Sequence, residues 1–154
     1  MQELELRLPP VAVVLLHGVV AWWLAQCAFL PMNLGGMLAL AVPLLLVTLA
    51  LALGLTAVVG FRRRRTTVNP TRPGEASQLV TAGVYRFSRN PMYLALLLCL
   101  CAWVLALADG LALIAVPLFV LYMNRFQIVP EERAMERLFG DEYRHYCRRV
   151  RRWL

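Results

Sequence analysis

The chain has 154 residues, the length of a single domain, but its composition excludes an ordinary soluble one. Hydrophobic residues make up 60% and charged residues 16%, against roughly 45–50% and about 25% in a typical globular domain. The 16 basic residues are all arginine, and the formal net charge is +7. Residues 8–61 carry no charge and residues 92–124 carry only Asp109, so both stretches exceed the ~18 apolar residues of a membrane span. This pattern predicts a polytopic membrane protein and excludes soluble, disordered and disulfide-rich secreted classes.

The two neutral stretches predict four transmembrane helices joined by short turns. Pro9-Pro10 suits the first turn of a helix, residues 31–36 have turn composition, and Asp109-Gly110 predicts a tight reversal. The predicted spans are residues 11–29, 38–60, 92–108 and 111–124. The predicted fold class is therefore all-α, with one membrane domain over residues 1–154.

The arginines indicate how these spans are oriented. The connecting loop 61–91 contains seven arginines and the segment from Arg125 onward contains eight, whereas the two opposite loops contain none. Because positive charge marks cytoplasmic segments, we expect both termini and the 61–91 loop to be cytoplasmic. A compact chain without organelle signals favours a bacterial inner membrane.

The C-terminal segment predicts amphipathic helices over residues 131–152, with a break at Gly140-Asp141. Its apolar residues recur at spacings of three, four and seven, and Tyr143 and Tyr146 share one stripe, which is more typical of packing than of cofactor contact. One interpretation is a basic helix lying on anionic lipid headgroups. That interpretation leaves Glu131 and Glu132 unexplained, because acidic residues oppose such binding.

Two polar motifs flank the second pair of spans. Asn90-Pro91 is a good helix start, yet this leaves Arg89 and Tyr93 without a structural reason, and an arginine beside a helix N-terminus favours an anion. The pair Glu131-Glu132 has two interpretations that spacing leaves open. The acids either stabilise the first turn of the tail helix or receive a cation or the hydroxyls of a sugar.

The motif Arg89-Asn90-Pro91-Met-Tyr93 is followed by Glu131-Glu132 and then by Phe139-Gly140-x-x-Tyr143-x-x-Tyr146. Together these motifs resemble the isoprenylcysteine carboxyl methyltransferase and phospholipid methyltransferase superfamily. The resemblance covers about residues 66–152, and it is specific as a combination, although each motif alone is weak.

The resemblance implies an integral membrane enzyme that binds S-adenosylmethionine at the cytoplasmic ends of the last two spans and takes a lipid-like acceptor from the bilayer. It implies catalytic roles for Arg89, Glu131 and Glu132. The family motif has histidine where this chain has Asn90, which puts a proton-carrying role at that position in doubt. The implied cofactor-binding residues are Arg89, Asn90, Pro91, Tyr93, Glu131, Glu132, Tyr143, Tyr146 and Arg149.

The leading functional prediction is methyl transfer to a membrane-embedded acceptor at the cytoplasmic face. A prenylcysteine-like carboxylate is the first candidate acceptor, and the amino group of phosphatidylethanolamine is the second; a carboxylate needs no base, whereas an ammonium group must first lose a proton. We expect the bilayer and a lipidic or prenylated acceptor as partners, and neither nucleic acid nor metal. The sequence sets no oligomeric state.

Three other classes of membrane protein are alternatives to this prediction. A glutathione-dependent membrane enzyme has the same size, but its arginine, asparagine and glutamate pattern inside the spans is missing. A transporter is disfavoured because the first span has no acidic residue to couple a proton. A non-enzymatic lipid-binding scaffold, held by the terminal arginines, stays open.

Overall fold

The computed structural model describes residues 5–33, 35–63 and 78–154. Within these ranges the chain is helical, with one isolated β-bridge between Pro31 and Asp109 and no strand, which confirms the all-α prediction. Residues 64–77 of the predicted 61–91 loop lie outside the described residues. The five α-helices are α1 (Pro10–Ala25), α2 (Leu38–Arg63), α3 (Pro91–Leu107), α4 (Ala115–Tyr122) and α5 (Val129–Arg149).

The last two α-helices belong to one continuous helical path. A 3₁₀ turn at Leu111–Ile114 leads into α4, and a π-helical turn at Met123–Ile128 joins α4 to α5. The predicted end of the fourth span at Asn124 therefore lies inside a helix, and no separate tail helix begins at Glu131. The break predicted at Gly140 is present, since this residue has φ +49° and kinks α5.

Pro130 does not end this path because its missing hydrogen bond is replaced. Proline has no N–H to donate to the carbonyl four residues earlier, which is that of Phe126. The backbone N–H of Leu6 donates to that carbonyl at 3.1 Å instead. The N-terminal segment therefore supports the helix at the point where proline weakens it, and Glu5 adds ion pairs to Arg125 and Arg133.

Two helical segments are long and apolar enough to cross a membrane, Leu38–Gly60 and Leu111–Arg149, and α1 and α3 are apolar but shorter. Few residues of α2 are buried, and most of its leucines are exposed. A helix that is apolar on its exposed sides suits hydrocarbon better than water. The surface of α2 is thus that of a membrane helix.

The helices pack around α3, which contacts both α1 and α2. Helices α2 and α3 pack closely beside Gly54, where an added Cβ would lie in van der Waals contact, 3.6 Å from the Cβ of Ala95. The largest core side chains near α4 are Leu100, Phe119 and Met123. This packing fixes the start of α3 relative to the junction of α4 and α5.

At one end of the bundle, Asp109 joins the two short loops. Its Oδ2 accepts the backbone N–H of Leu30 at 3.3 Å and its Oδ1 accepts that of Leu111 at 2.8 Å. The N–H of Gly110 donates to the carbonyl of Leu30 at 2.7 Å. The predicted reversal at Asp109-Gly110 is therefore also a lock between the loops.

At the other end, the last residues of the chain fold back across the start of α3. The backbone N–H of Arg89 donates to the carbonyl of Arg151 at 3.0 Å. The indole N–H of Trp153 donates to Oδ1 of Asn124 at 3.0 Å. These contacts bring the 78–90 segment, the α4–α5 junction and the C-terminal residues together.

Candidate functional site

A cavity of about 100 Å³ lies where these three parts meet. It brings together residues from both polar motifs, although they lie some forty residues apart in the sequence. Six of its lining residues were predicted from the sequence: Arg89, Asn90, Glu131, Glu132, Tyr143 and Tyr146. The other lining residues are Gln78, Leu79, Val80, Tyr85 and Met135.

Glu131 has the most unusual environment in the cavity. The hydroxyl of Tyr93 and Nε2 of Gln127 both donate to Oε1 of Glu131, the amide at 2.6 Å. Nε2 of Gln127 also lies 3.3 Å from the Tyr93 hydroxyl. Burial raises the pKa of Glu131 to about 7, and the neighbouring carboxylate of Glu132 adds to the rise, while the two hydrogen bonds oppose it.

Every hydrogen bond that Glu131 receives from the described residues ends on Oε1. Glu131 also lines the cavity, and Oε2 is the carboxylate oxygen that no described residue holds. A carboxyl with one oxygen held and the other open, titrating near neutral pH, is suited to accept and release a proton.

Glu132 is held by two arginines instead. Nε and Nη2 of Arg152 donate to its two oxygens at 3.0 Å and 2.6 Å, and Nη2 of Arg89 lies 3.0 Å from Oε1. Such a forked contact is the stronger form of an arginine–carboxylate pair. Glu132 therefore fixes the position of Arg89 at the edge of the cavity.

One N–H group of Arg89 has no hydrogen-bond acceptor among the described residues. Its Nη1 contacts Sγ of Cys147 and its Nη2 pairs with Glu132. Its Nε is buried and has no hydrogen-bond partner among the described residues. Buried polar groups are seldom left unsatisfied, so this N–H marks a place for an acceptor atom of a ligand.

Asn90 stands at the start of α3, but its side chain does not cap the helix as the sequence suggested. Its Nδ2 donates to the carbonyl of Arg152 at 2.9 Å, and its backbone N–H donates to Oγ of Ser88 at 3.1 Å. A neutral amide serves this contact without titrating. Asn90 thus ties the C-terminal residues to the start of α3, and nothing in this contact requires a proton carrier.

The other predicted residues lie around the cavity or apart from it. Pro91 is buried in the first turn of α3, and Tyr93 lies in the core and reaches the site through Glu131. Arg149 is exposed at the end of α5 and does not line the cavity. Tyr143 and Tyr146 pack together in a buried stripe with Val150, and they also line the cavity.

The tyrosines that line the cavity are neutral donors and acceptors. The hydroxyl of Tyr146 donates to the backbone carbonyl of Tyr85 at 2.7 Å. Burial raises the pKa of Tyr85, Tyr143 and Tyr146 above the ordinary value of 10. These side chains therefore stay neutral near pH 7 and line the cavity beside Glu131, whose pKa burial raises to about 7.

The sequence interpretation missed three residues of this site, namely Gln127, Cys147 and Arg152. Gln127 is buried, and it precedes Glu131 by four residues on the same helical path, which is a usable signal. Arg152 lies in a run of arginines that looks uniform in sequence, so only the fold distinguishes it from its neighbours.

A family model described as phospholipid methyltransferase matches residues 36–142, more than half of the chain. The chain belongs to the phospholipid methyltransferase family. This confirms the resemblance drawn from the motifs. The matched residues include Arg89, Tyr93, Gln127 and Glu131, while Arg152 lies beyond them.

One relative is an uncharacterized protein of Haemophilus influenzae (strain ATCC 51907 / DSM 11121 / KW20 / Rd). It is 56% identical over 63 residues, which is 41% of this chain and all of that protein. No solved structure matches the chain. The candidate functional site of this family member is the cavity that Glu131 and Arg89 line.

Proposed function

We propose that the protein is a membrane-embedded methyltransferase that uses S-adenosylmethionine to methylate the amino group of a phospholipid. The observation that supports this acceptor is the carboxyl of Glu131, which lines the cavity, has a pKa that burial raises to about 7, and has Oε2 free of hydrogen bonds from the described residues. An ammonium headgroup must lose a proton before its nitrogen can take a methyl group, so such an acceptor needs this kind of base. Membership of the phospholipid methyltransferase family supports the same acceptor.

We further propose that α1, α2, α3 and the apolar part of the α4 path are four membrane spans. The end of α2 lies beside the cavity, since a Cβ at Gly60 would lie 3.7 Å from the ring of Tyr85. The described arginines before α3 and in the C-terminal residues therefore lie at the same end of the bundle as the end of α2. By the positive-inside rule we place this end, and with it the site, at the cytoplasmic face, and we propose a bacterial inner membrane as the host membrane.

The residues of the site fit part of S-adenosylmethionine. The unpaired Nε of Arg89 suits its carboxylate, which would share the arginine with Glu132. The cavity is smaller than the ~300–1,000 Å³ typical of ligand pockets. A groove of about 330 Å³ adjoins it, with Arg89, Glu132 and Tyr143 lining both. We propose that the cofactor spans the cavity and this groove.

The protein's own contribution to the reaction is the removal of a proton and the exclusion of water. When bound, S-adenosylmethionine supplies a methyl group on a positively charged sulfur, which keeps the bonding electron pair as the new nitrogen–carbon bond forms. Oε2 of Glu131 first takes the proton from the ammonium group, and the freed lone pair forms that bond. Glu131 then returns the proton to water. Orientation and a water-poor cavity supply the rest of the rate.

A prenylcysteine-like carboxylate is the second candidate acceptor, as it was the first from the sequence. The unpaired Nε of Arg89 favours it, because this N–H could hold an acceptor carboxylate as well as that of the cofactor. A carboxylate acceptor would leave Glu131 without a role as a base. The two candidate acceptors therefore differ in what they require of Glu131, which is a base for the amine and not for the carboxylate.

A labelling experiment separates these candidates. Purified protein in lipid vesicles is incubated with methyl-labelled S-adenosylmethionine and either phosphatidylethanolamine or a prenylated cysteine, and the product is treated with base. Label that stays on the phospholipid through base supports the amine acceptor, whereas label released as methanol from the prenylated compound identifies a methyl ester. Folded protein that labels neither and does not bind the cofactor would contradict the enzyme and favour the scaffold.

A further inference from the structure

The π-helical turn at Met123–Ile128 carries one buried polar side chain into the bundle. A π turn adds a residue to the helical repeat and so changes the direction in which the following side chains point. Gln127 lies in this turn and is 2% exposed. A glutamine buried beside apolar helices has a cost unless its amide makes good hydrogen bonds.

The amide of Gln127 makes those bonds to Glu131 and to Tyr93, which itself donates to Glu131. Nε2 donates to Oε1 of Glu131 at 2.6 Å and lies 3.3 Å from the hydroxyl of Tyr93, which itself donates to the same oxygen. Three elements, α3, the π turn and α5, thus converge on one carboxyl oxygen. The carboxyl cannot rotate without breaking two hydrogen bonds, so the position of Oε2 is fixed as well.

We propose that Gln127 is a positioning residue for methyl transfer, which holds Glu131 with Oε1 in the bundle and Oε2 toward the acceptor and thereby sets the pH at which Glu131 can take a proton. This inference rests on the proposed function with an amine acceptor. It adds to that function a residue that does not line the cavity and that the sequence motifs did not include.

The charges around Glu131 give the direction of the effect. Among the described residues, Tyr93 on α3 and Glu132 on α5 are the ionisable groups that shift the pKa of Glu131. The other titratable or charged groups that line the same cavity are Arg89, Tyr85, Tyr143 and Tyr146. Glu132 raises the pKa of Glu131, and the hydrogen bonds of Tyr93 and Gln127 lower it. Removing the Gln127 amide therefore raises the pKa further, and Glu131 then needs a higher pH to act as a base.

The test is the pH dependence of methyl transfer by Gln127→Met, which keeps the length of the side chain but has no N–H. We expect the acid limb of the kcat profile to move by about one pH unit to higher pH, with recovery toward the wild-type rate above it. The KM for S-adenosylmethionine should change less than twofold. Met123→Leu is the matched control in the same π turn, and it should leave the profile in place.

An infrared titration of the carboxyl band that Glu131→Gln removes provides a readout without turnover. The band should titrate at higher pH in Gln127→Met than in the wild type. A rate that falls equally at every pH, with an unshifted band, would overturn the inference. If the band shifts while the wild type methylates no amine, the positioning holds and the proposed acceptor fails.

Gln127→Asn is a second variant, in case Gln127→Met does not fold. Its amide is one methylene shorter and cannot reach Oε1 with the same geometry. We expect the same direction of shift in both the kcat profile and the infrared titration. A profile and a band identical to those of the wild type in a folded Gln127→Asn protein would contradict the role of the amide.

Discussion

Asp109 and Glu131 are carboxyl groups withdrawn from water at opposite ends of the bundle, and they are satisfied in different ways. Asp109 is 3% exposed, and each of its oxygens accepts a backbone N–H. Glu131 receives two side-chain donors on a single oxygen, and its other oxygen accepts no hydrogen bond from the described residues. Burial alone therefore does not distinguish the two carboxyl groups, whereas the unequal use of the oxygens of Glu131 does.

The largest effect that tests this comparison is on the reaction rate. Glu131→Gln removes the proton acceptor and keeps the size of the side chain, so we expect kcat for an amine acceptor to fall about 10²- to 10⁴-fold. Asp109→Asn is the matched change at the other end and should keep kcat within about twofold. Equal losses in both variants would show that the comparison is wrong.

Although Glu131 is expected to support the reaction, its ionised form should lower the stability of the fold. Its pKa rises from 4.5 to about 7 on folding, so its stabilising contribution is complete below pH 4.5 and is lost as the pH rises through 7. The loss at pH 8 amounts to roughly 3 kcal/mol. The glutamine in Glu131→Gln does not titrate. The stability of this variant relative to the wild type should therefore rise between pH 5 and pH 8, as measured by thermal unfolding in detergent. A constant difference across this range would contradict the shifted pKa.

Asp109→Ala should lower the stability of the protein and leave its activity unchanged. It leaves the backbone N–H groups of Leu30 and Leu111 without their acceptor, which costs about 2 kcal/mol of the free energy of unfolding. Thermal unfolding at pH 7 should show the loss, while the folded protein keeps its kcat. A variant as stable as the wild type would mean that the loops are held together without this carboxylate.

The smallest expected effect concerns cofactor affinity. Arg89→Ala removes a buried donor from the site and should raise the Kd for S-adenosylmethionine at least about tenfold, as measured by calorimetry. Arg149→Ala changes an exposed arginine at the end of α5 and should leave the Kd unchanged. A loss in Arg149→Ala equal to that in Arg89→Ala would restore the sequence-based role of Arg149.

Features with a local cause were predictable from the sequence. Pro91 begins α3 because proline fits the first helical turn, and Gly140 breaks α5 because it adopts a positive φ. The charge-free stretches similarly indicated where apolar helices lie. The residues Arg89 and Glu131 were found through the combination of motifs, and the structure places both at the cavity.

Features that depend on distant partners were not predictable. The sequence predicted a separate tail helix from residue 131, but the helix runs on through Pro130 because Leu6 satisfies the carbonyl of Phe126. The π turn that carries Gln127 into the bundle has no signal in the sequence of residues 123–128. Asn90 looked like a helix cap, yet its side chain donates to Arg152, 62 residues further along the chain.

The return of the C-terminal residues has a consequence for biosynthesis. Ser88, Arg89 and Asn90 are completed by the backbone carbonyls of Arg151 and Arg152, up to 64 residues later. On the four-span topology proposed above, helices α1 to α4 can enter the bilayer while the ribosome is still translating the tail. The cavity, however, cannot form until Arg152 has left the ribosome, so a nascent chain already in the bilayer still lacks the proposed cofactor site.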